Sequence, residues 1–197
     1  MEKNHYEPAT KPTLYFIGVT TSKSSIMNLF PKWAEYLRLG DCEIKGVDFL
    51  PNDETKKYQE CVEFIKNDPL SKGALVTTHK IDIFLSCVDQ FDYIDEHAKT
   101  MGEISCISKD GNKLLGHAKD PISSDLALNR ILPEGYWKEK DGEVLCLGAG
   151  GAAISILYNL NRQRQQGNHP SKIFVTDIRK SRLESIQKIY RKFDTKV

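Results

Sequence analysis

Three short segments carry side chains that can bind, or work on, a small oxygenated molecule. The first is Thr20-Thr21-Ser22-Lys23-Ser24-Ser25, a run of hydroxyls directly after an apolar stretch. Hydroxyls clustered at the carboxyl end of a strand let several donors converge on a carboxylate or a polyol. Ser24 or Ser25 ahead of Ile26 is equally an ordinary helix N-cap. The second is Val76-Thr77-Thr78-His79-Lys80, in which an apolar run delivers a lysine to a sheet end. Partial desolvation at such a place lowers a lysine's pKa towards the range where it exchanges protons with a substrate hydroxyl. A surface lysine on a first helical turn has the same local sequence. The third is Gly116-His117-Ala118-Lys119-Asp120-Pro121. Its Asp120 reads locally as an N-cap carboxylate and functionally as the partner of a catalytic lysine. His79 and His117 lie beside these groups, and nothing near them in sequence completes a metal set.

A different chemistry begins at Val144. The apolar run Val144-Leu145-Cys146-Leu147 ends in Gly148-Ala149-Gly150-Gly151-Ala152-Ala153, an amphipathic stretch follows, and Ile173-Phe174-Val175-Thr176 then ends in Asp177. That is a dinucleotide-binding fingerprint in its strand, turn, helix, strand setting. Gly148 permits the tight turn and Gly150 the close approach of a pyrophosphate. Ala153 lets the helix lie near the strand, and the helix start offers N–H donors to the phosphates. Asp177 is placed to accept hydrogen bonds from adenosine ribose hydroxyls, and it would repel a 2′-phosphate. The motif therefore favours NAD, with NADP left open because Arg179 follows two residues on. A glycine-rich turn between a strand and a helix is the structural alternative.

The elements that must hold these groups alternate along the chain. Leu14–Val19, Cys42–Leu50 and Gly73–Thr77 read as strands. Helical stretches fill the intervals, one with Tyr58, Cys61, Val62 and Ile65 on a single face. Glu103–Ser108 and Leu114–His117, separated by Lys-Asp-Gly-Asn, read as a hairpin. Pro121–Leu132 reads as a helix with proline in its first turn, and residues 133–143 as a polar linker. The basic tail from Arg179 to Lys196 reads as the solvated face of a helix buried through Leu183, Ile186 and Tyr190. The expected architecture is α/β, with one mostly parallel sheet flanked by helices over residues 1–132. The first half of a Rossmann unit follows over 144–197, with room for strand, helix, strand and helix only. A complete dinucleotide domain needs about six strands, so the expectation is a fragment or a truncated product.

Lys and Arg number 28 against 27 Asp and Glu, so no global field favours nucleic acid or a membrane surface. No apolar stretch approaches the roughly 20 residues that span a bilayer. Residues 1–13 lack the apolar segment of a secretory signal. The five cysteines show no metal-type spacing, which points to reduced thiols and a cytoplasmic location.

The three hydroxyl, lysine and aspartate segments, in that order and ahead of a Gly-Ala-Gly-Gly-Ala loop, resemble the shikimate/quinate dehydrogenase family from about Tyr15 onward. The resemblance implies that Ser22 and Ser24 hold a substrate carboxylate, and that Lys80 is the catalytic proton shuttle. It implies that Asp120 pairs with that lysine and touches a substrate hydroxyl, and that Thr77 and Ser105 line the substrate site. Gly148 to Ala153 would bind NAD(P), and residues 1–132 would form the substrate-binding domain of a monomer or homodimer. The implied reaction is hydride transfer between the cofactor and a carbinol carbon of a small hydroxylated cyclic acid. The chain departs from the family where two substrate-binding asparagines are Ser105 and Ala118, where Lys119 replaces threonine, and where Thr78 replaces proline. A site lacking both amides cannot make the same bonds to a cyclohexene triol. The alternatives are a non-catalytic dinucleotide- or metabolite-binding module, an inactive fragment of such an enzyme, or another lysine-using two-domain enzyme, as in the methylene-tetrahydrofolate dehydrogenases.

Overall fold

Thr13–Gly18 (β1) is buried along nearly its whole length, as a central strand covered on both faces must be. In the computed structural model, which describes residues 6–193, it sits inside a six-stranded sheet. The other strands are Glu43–Asp48 (β2), Ser71–Val76 (β3), Tyr93–Ile94 (β4), Cys106–Asp110 (β5) and Lys113–His117 (β6), in the order β2-β1-β3-β5-β6-β4. Strands β1, β2 and β3 are parallel, as are β4 and β6, and β5 runs antiparallel to both its neighbours. The short β4 is an element the sequence pattern does not announce.

Helices Ile26–Tyr36 (α1), Thr55–Asn67 (α2), Lys80–Cys87 (α3) and Glu96–Met101 (α4) complete this unit. The expected face of α2 is the buried one, with Tyr58, Cys61, Val62 and Ile65 all at 1% exposure or less. Ser25 occupies the cap position of α1 but makes no side-chain cap bond, so the hydroxyl run is not spent on capping. All five cysteines are free; burial pushes the Cys61 and Cys87 thiols up to about 12, leaving them inert as nucleophiles.

Asp68, just after α2, ties the start of the chain to the sheet. Its carboxylate accepts from the Ala9 N–H (3.0 Å), the Leu70 N–H (3.0 Å) and the Tyr15 hydroxyl (3.1 Å). Burial works to raise its pKa, and these donors outweigh it, so the carboxyl sits below its ordinary value. A carboxylate with a depressed folded pKa stabilises above the unfolded value, near 4, and loses that contribution as pH falls through the folded one. Asp68→Ala is therefore expected to cost about 3 kcal/mol near neutrality, because it orphans buried donors. The difference from wild type should shrink in melts taken towards pH 3.

The compact units divide between Ala118 and Lys119, not at the expected boundary after residue 132. The reason is packing. Helix Asp120–Leu128 (α5) lies on Gly151–Arg162 (α7), where the buried Asn159 amide donates to the Pro121 carbonyl (2.5 Å) and to Ser124 Oγ (3.0 Å). The expected linker is also structured. It contains a helical turn, Tyr136–Glu139 (α6), and the Trp137 N–H donates to Asn168 Oδ1 at 3.0 Å. The rest of this unit is Glu143–Leu147 (β7), Lys172–Thr176 (β8) and Lys180–Phe193 (α8), with β7 and β8 parallel. Ile186 is the most deeply buried of the three positions expected to anchor α8; Lys196 lies outside the described residues. Among the described residues no helix is long and apolar enough to cross a membrane.

Candidate functional site

Parallel strands end on the same side of a sheet, and here that edge collects most of the chemistry. The hydroxyl run leaves β1, and Thr77 to Lys80 leaves β3. Because β5 is antiparallel to β3, the start of β5 lies beside the end of β3, and the Val76 N–H donates to the Ser105 carbonyl at 2.9 Å. The Ser105 N–H in turn donates to the His117 carbonyl at the end of β6 (2.9 Å). The edge thus gathers Ser22 and Ser24 on one loop, Thr77 and Lys80 on the next, and Ser105 on the third. Ser22 is exposed, Ser24, Thr77 and Lys80 are half-buried, and Ser105 is buried.

Each loop is held from below. The Thr21 N–H donates to Asp48 Oδ1 (2.8 Å), which pins the hydroxyl run to the end of β2. The Lys80 carbonyl accepts from the Ile104 N–H (3.0 Å), and the Thr77 N–H donates to Ile17 (2.9 Å). Asp95 was not singled out in the sequence. Its carboxylate caps α4 through the Ala98 N–H (2.8 Å), meets His117 Nδ1 at 3.2 Å and accepts from the Ala118 N–H at 3.3 Å. His117 Nε2 lies 3.0 Å from Ser108 Oγ. The histidine thus serves the hairpin and the α4 cap. An Asp three residues ahead of Ala98 is the cap signal that would have found Asp95.

Asp120 belongs to the second unit, as the first residue of α5; Lys119 takes the cap position, so the expected capping role is not the one it has.

In the second unit the glycine loop has the form its sequence implies. Gly148 has φ +106, a left-handed conformation closed to most other residues, and its N–H donates to the Thr176 carbonyl (2.7 Å). Gly150 caps α7 with extended backbone, and a Cβ there would stand 3.1 Å from an Arg182 guanidinium nitrogen. Ala153, in the first turn of α7, is buried. The first turn of α7, Gly151 to Ala153, presents N–H groups that no helical carbonyl can reach. These features fit a dinucleotide pyrophosphate. Asp177 is at the tip of β8, as expected, but its carboxylate is turned onto the loop. It accepts from the Ala149 N–H (2.9 Å) and the Arg179 N–H (2.8 Å), which hold its pKa below the ordinary carboxylate range. Among the described residues no cluster of side chains could hold a metal ion.

A six-stranded α/β unit followed by a glycine-loop βαβ is the architecture of a two-domain dinucleotide-dependent dehydrogenase fold. The solved structures it resembles have that fold. One is a shikimate dehydrogenase in complex with NADP+ (TM-score 0.71, 21% identity, 99% of this chain and 62% of that one). Another is the quinate dehydrogenase of Corynebacterium glutamicum in complex with NAD (TM-score 0.70, 16% identity, 94% and 62%). No family model matches the chain. Among curated proteins, the shikimate dehydrogenase (NADP(+)) of Caldicellulosiruptor saccharolyticus is 30% identical over 143 residues, 72% of this chain and 46% of that protein. The chain is similar to the shikimate dehydrogenases, and it spans less than half the length of the curated relatives it matches.

Proposed function

We propose that the chain carries the substrate-binding unit, and the opening of the cofactor unit, of an NAD(P)-dependent dehydrogenase acting on shikimate, quinate or a related hydroxylated cyclic acid. The observation that carries this reading is the gathering of Ser22, Ser24, Thr77, Lys80 and Ser105 at one sheet edge, in a chain that also holds the glycine loop. Ser22 and Ser24 bind the carboxylate, and Thr77 and Ser105 bind ring hydroxyls. Lys80 Nζ takes or returns the proton of the reacting hydroxyl. A nicotinamide dinucleotide held by residues 148–153 supplies hydride acceptance. This reading goes with a cytoplasmic enzyme.

Full-length protein containing this chain, given shikimate or quinate with NAD+ or NADP+, should produce reduced cofactor, followed by absorbance. Tight dinucleotide binding with no turnover of any cyclic hydroxy acid would favour the rival reading, a non-catalytic binding module. The substitution of both family asparagines by Ser105 and Ala118 is the observation on that side.

Cofactor choice turns on Asp177. Its carboxylate braces the loop, while Arg179 and Arg182 stand beside it, so the second unit offers both a ribose acceptor and cations for a 2′-phosphate. Asp177→Ala should release the Ala149 and Arg179 N–H groups and weaken dinucleotide binding about tenfold, read by calorimetry. Because its pKa is depressed, the brace should persist down to the ordinary carboxylate range and fail only below it.

A further inference from the structure

His79 is fully buried between the hydroxyl-bearing end of β3 and Lys80. Its ring lies 5.8 Å from that of Phe49 and 5.5 Å from that of Tyr58. Nδ1 stands 3.0 Å from the Tyr58 hydroxyl and 3.4 Å from Asp82 Oδ2. Nε2 is buried without a hydrogen-bond partner. A leucine or phenylalanine would fill the same space without burying an unpaired nitrogen, so packing alone does not account for a histidine here.

The backbone beside the ring is equally constrained. Thr78 has φ +56, a conformation that β-branched residues rarely adopt. The His79 N–H donates back to the Thr77 carbonyl (2.5 Å), closing a three-residue turn around Thr78. Beyond it, the His79 carbonyl accepts from the Ile83 N–H (2.9 Å) and the Lys80 carbonyl from the Ile104 N–H (3.0 Å). A strained turn persists only where its surroundings over-determine it. The anchored imidazole is the side chain in this turn that reaches the core.

We propose that His79 is a positioning residue for Lys80. Its Nδ1 contact with Tyr58 holds the strained Thr77–His79 turn, and that turn sets the point from which the Lys80 side chain leaves the backbone. The functional meaning of this inference rests on Lys80 as the proton shuttle; the structural claim does not.

The test uses the whole chain and three variants, His79→Leu, His79→Asn and Tyr58→Phe, each checked for folding by thermal melt. Lysines are labelled competitively with acetic anhydride, and Lys80 is compared by mass spectrometry with the exposed Lys32. Freed from its anchor, Lys80 should label about fivefold faster relative to Lys32 in His79→Leu and Tyr58→Phe. It should return near the wild-type rate in His79→Asn, whose amide puts a hydrogen-bonding atom where Nδ1 stands. If Lys80 labelling is unchanged in folded His79→Leu and Tyr58→Phe, or if asparagine restores nothing that leucine lost, the proposal is overturned. Should His79→Leu fail to fold, Tyr58→Phe against His79→Asn decides it. In turnover assays kcat should fall about tenfold or more in His79→Leu, with KM nearly unchanged, and recover in His79→Asn. Intact turnover in Lys80→Ala would sink the shuttle reading and leave the labelling result standing.

Discussion

Lys80→Ala is expected to lower kcat by about 10²- to 10⁴-fold, the range that a positioned proton-transfer group contributes, while dinucleotide affinity stays within about twofold. The two effects separate because Lys80 lies in the unit that ends at Ala118, and the glycine loop in the unit that follows. Lys80→Arg is the sharper variant. It keeps the positive charge, but a guanidinium stays protonated above pH 12 and cannot exchange the proton. If Lys80 shuttles a proton, arginine should be nearly as inactive as alanine; if it only attracts a carboxylate, arginine should keep most of the activity. Equal loss of turnover and cofactor binding in Lys80→Ala would point instead to damage of the fold.

Much of this architecture is legible in the chain. The period of Tyr58, Cys61, Val62 and Ile65 gave α2 with its buried face, and Lys-Asp-Gly-Asn marked a hairpin whose turn is Gly111-Asn112. These are local patterns, in which side-chain spacing reports directly on the face that is buried. The glycine loop was equally readable, since Gly148 and Gly150 meet backbone demands that few other residues satisfy.

What the sequence hid depends on distant partners. The unit boundary was missed because α5 packs on α7 through Asn159, about 35 residues further along the chain, while the polar stretch 133–143 looked like a linker. Asp177 is an acid at a strand tip by sequence. Only the fold shows both its oxygens bonded to the loop N–H groups of Ala149 and Arg179. Lys80 was found because a lysine after an apolar run is conspicuous. His79 has no metal partners near it in the sequence, and its burial against Phe49 and Tyr58 is a tertiary fact.

Gly73→Ala is expected to be the most destabilising single-methyl change in the chain, at about 4 kcal/mol or more, a value reached only by a few mechanisms. Two of them coincide here. Gly73 has φ +113, and a Cβ built on it would overlap the Ile107 carbonyl oxygen and press on its carbon at 2.9 Å. Both obstacles are backbone, so no rotamer change relieves them. The position also matters topologically. Thr13 pairs with Ser71 and Leu14 with Gly73, so Lys72 is the extra residue of a bulge in β3. That bulge sets the register of β3 on β1, and the close approach of Gly73 to Ile107 goes with the β3–β5 register in which Leu75 meets Cys106 and Val76 reaches Ser105, at the edge where Thr77 and Lys80 emerge. Gly111→Ala is the control. Gly111 also has a positive φ, +58, but nothing lies within 4 Å of its added Cβ, so its cost should be near 1 kcal/mol, from conformation alone. Urea melts of the two variants separate conformational strain from backbone collision. If Gly73→Ala costs no more than Gly111→Ala, then β3 can shift against β5 and the sheet does not fix the lysine edge as argued. If it costs several times more, the position of Lys80 is set from a glycine seven residues away, by the register of three strands.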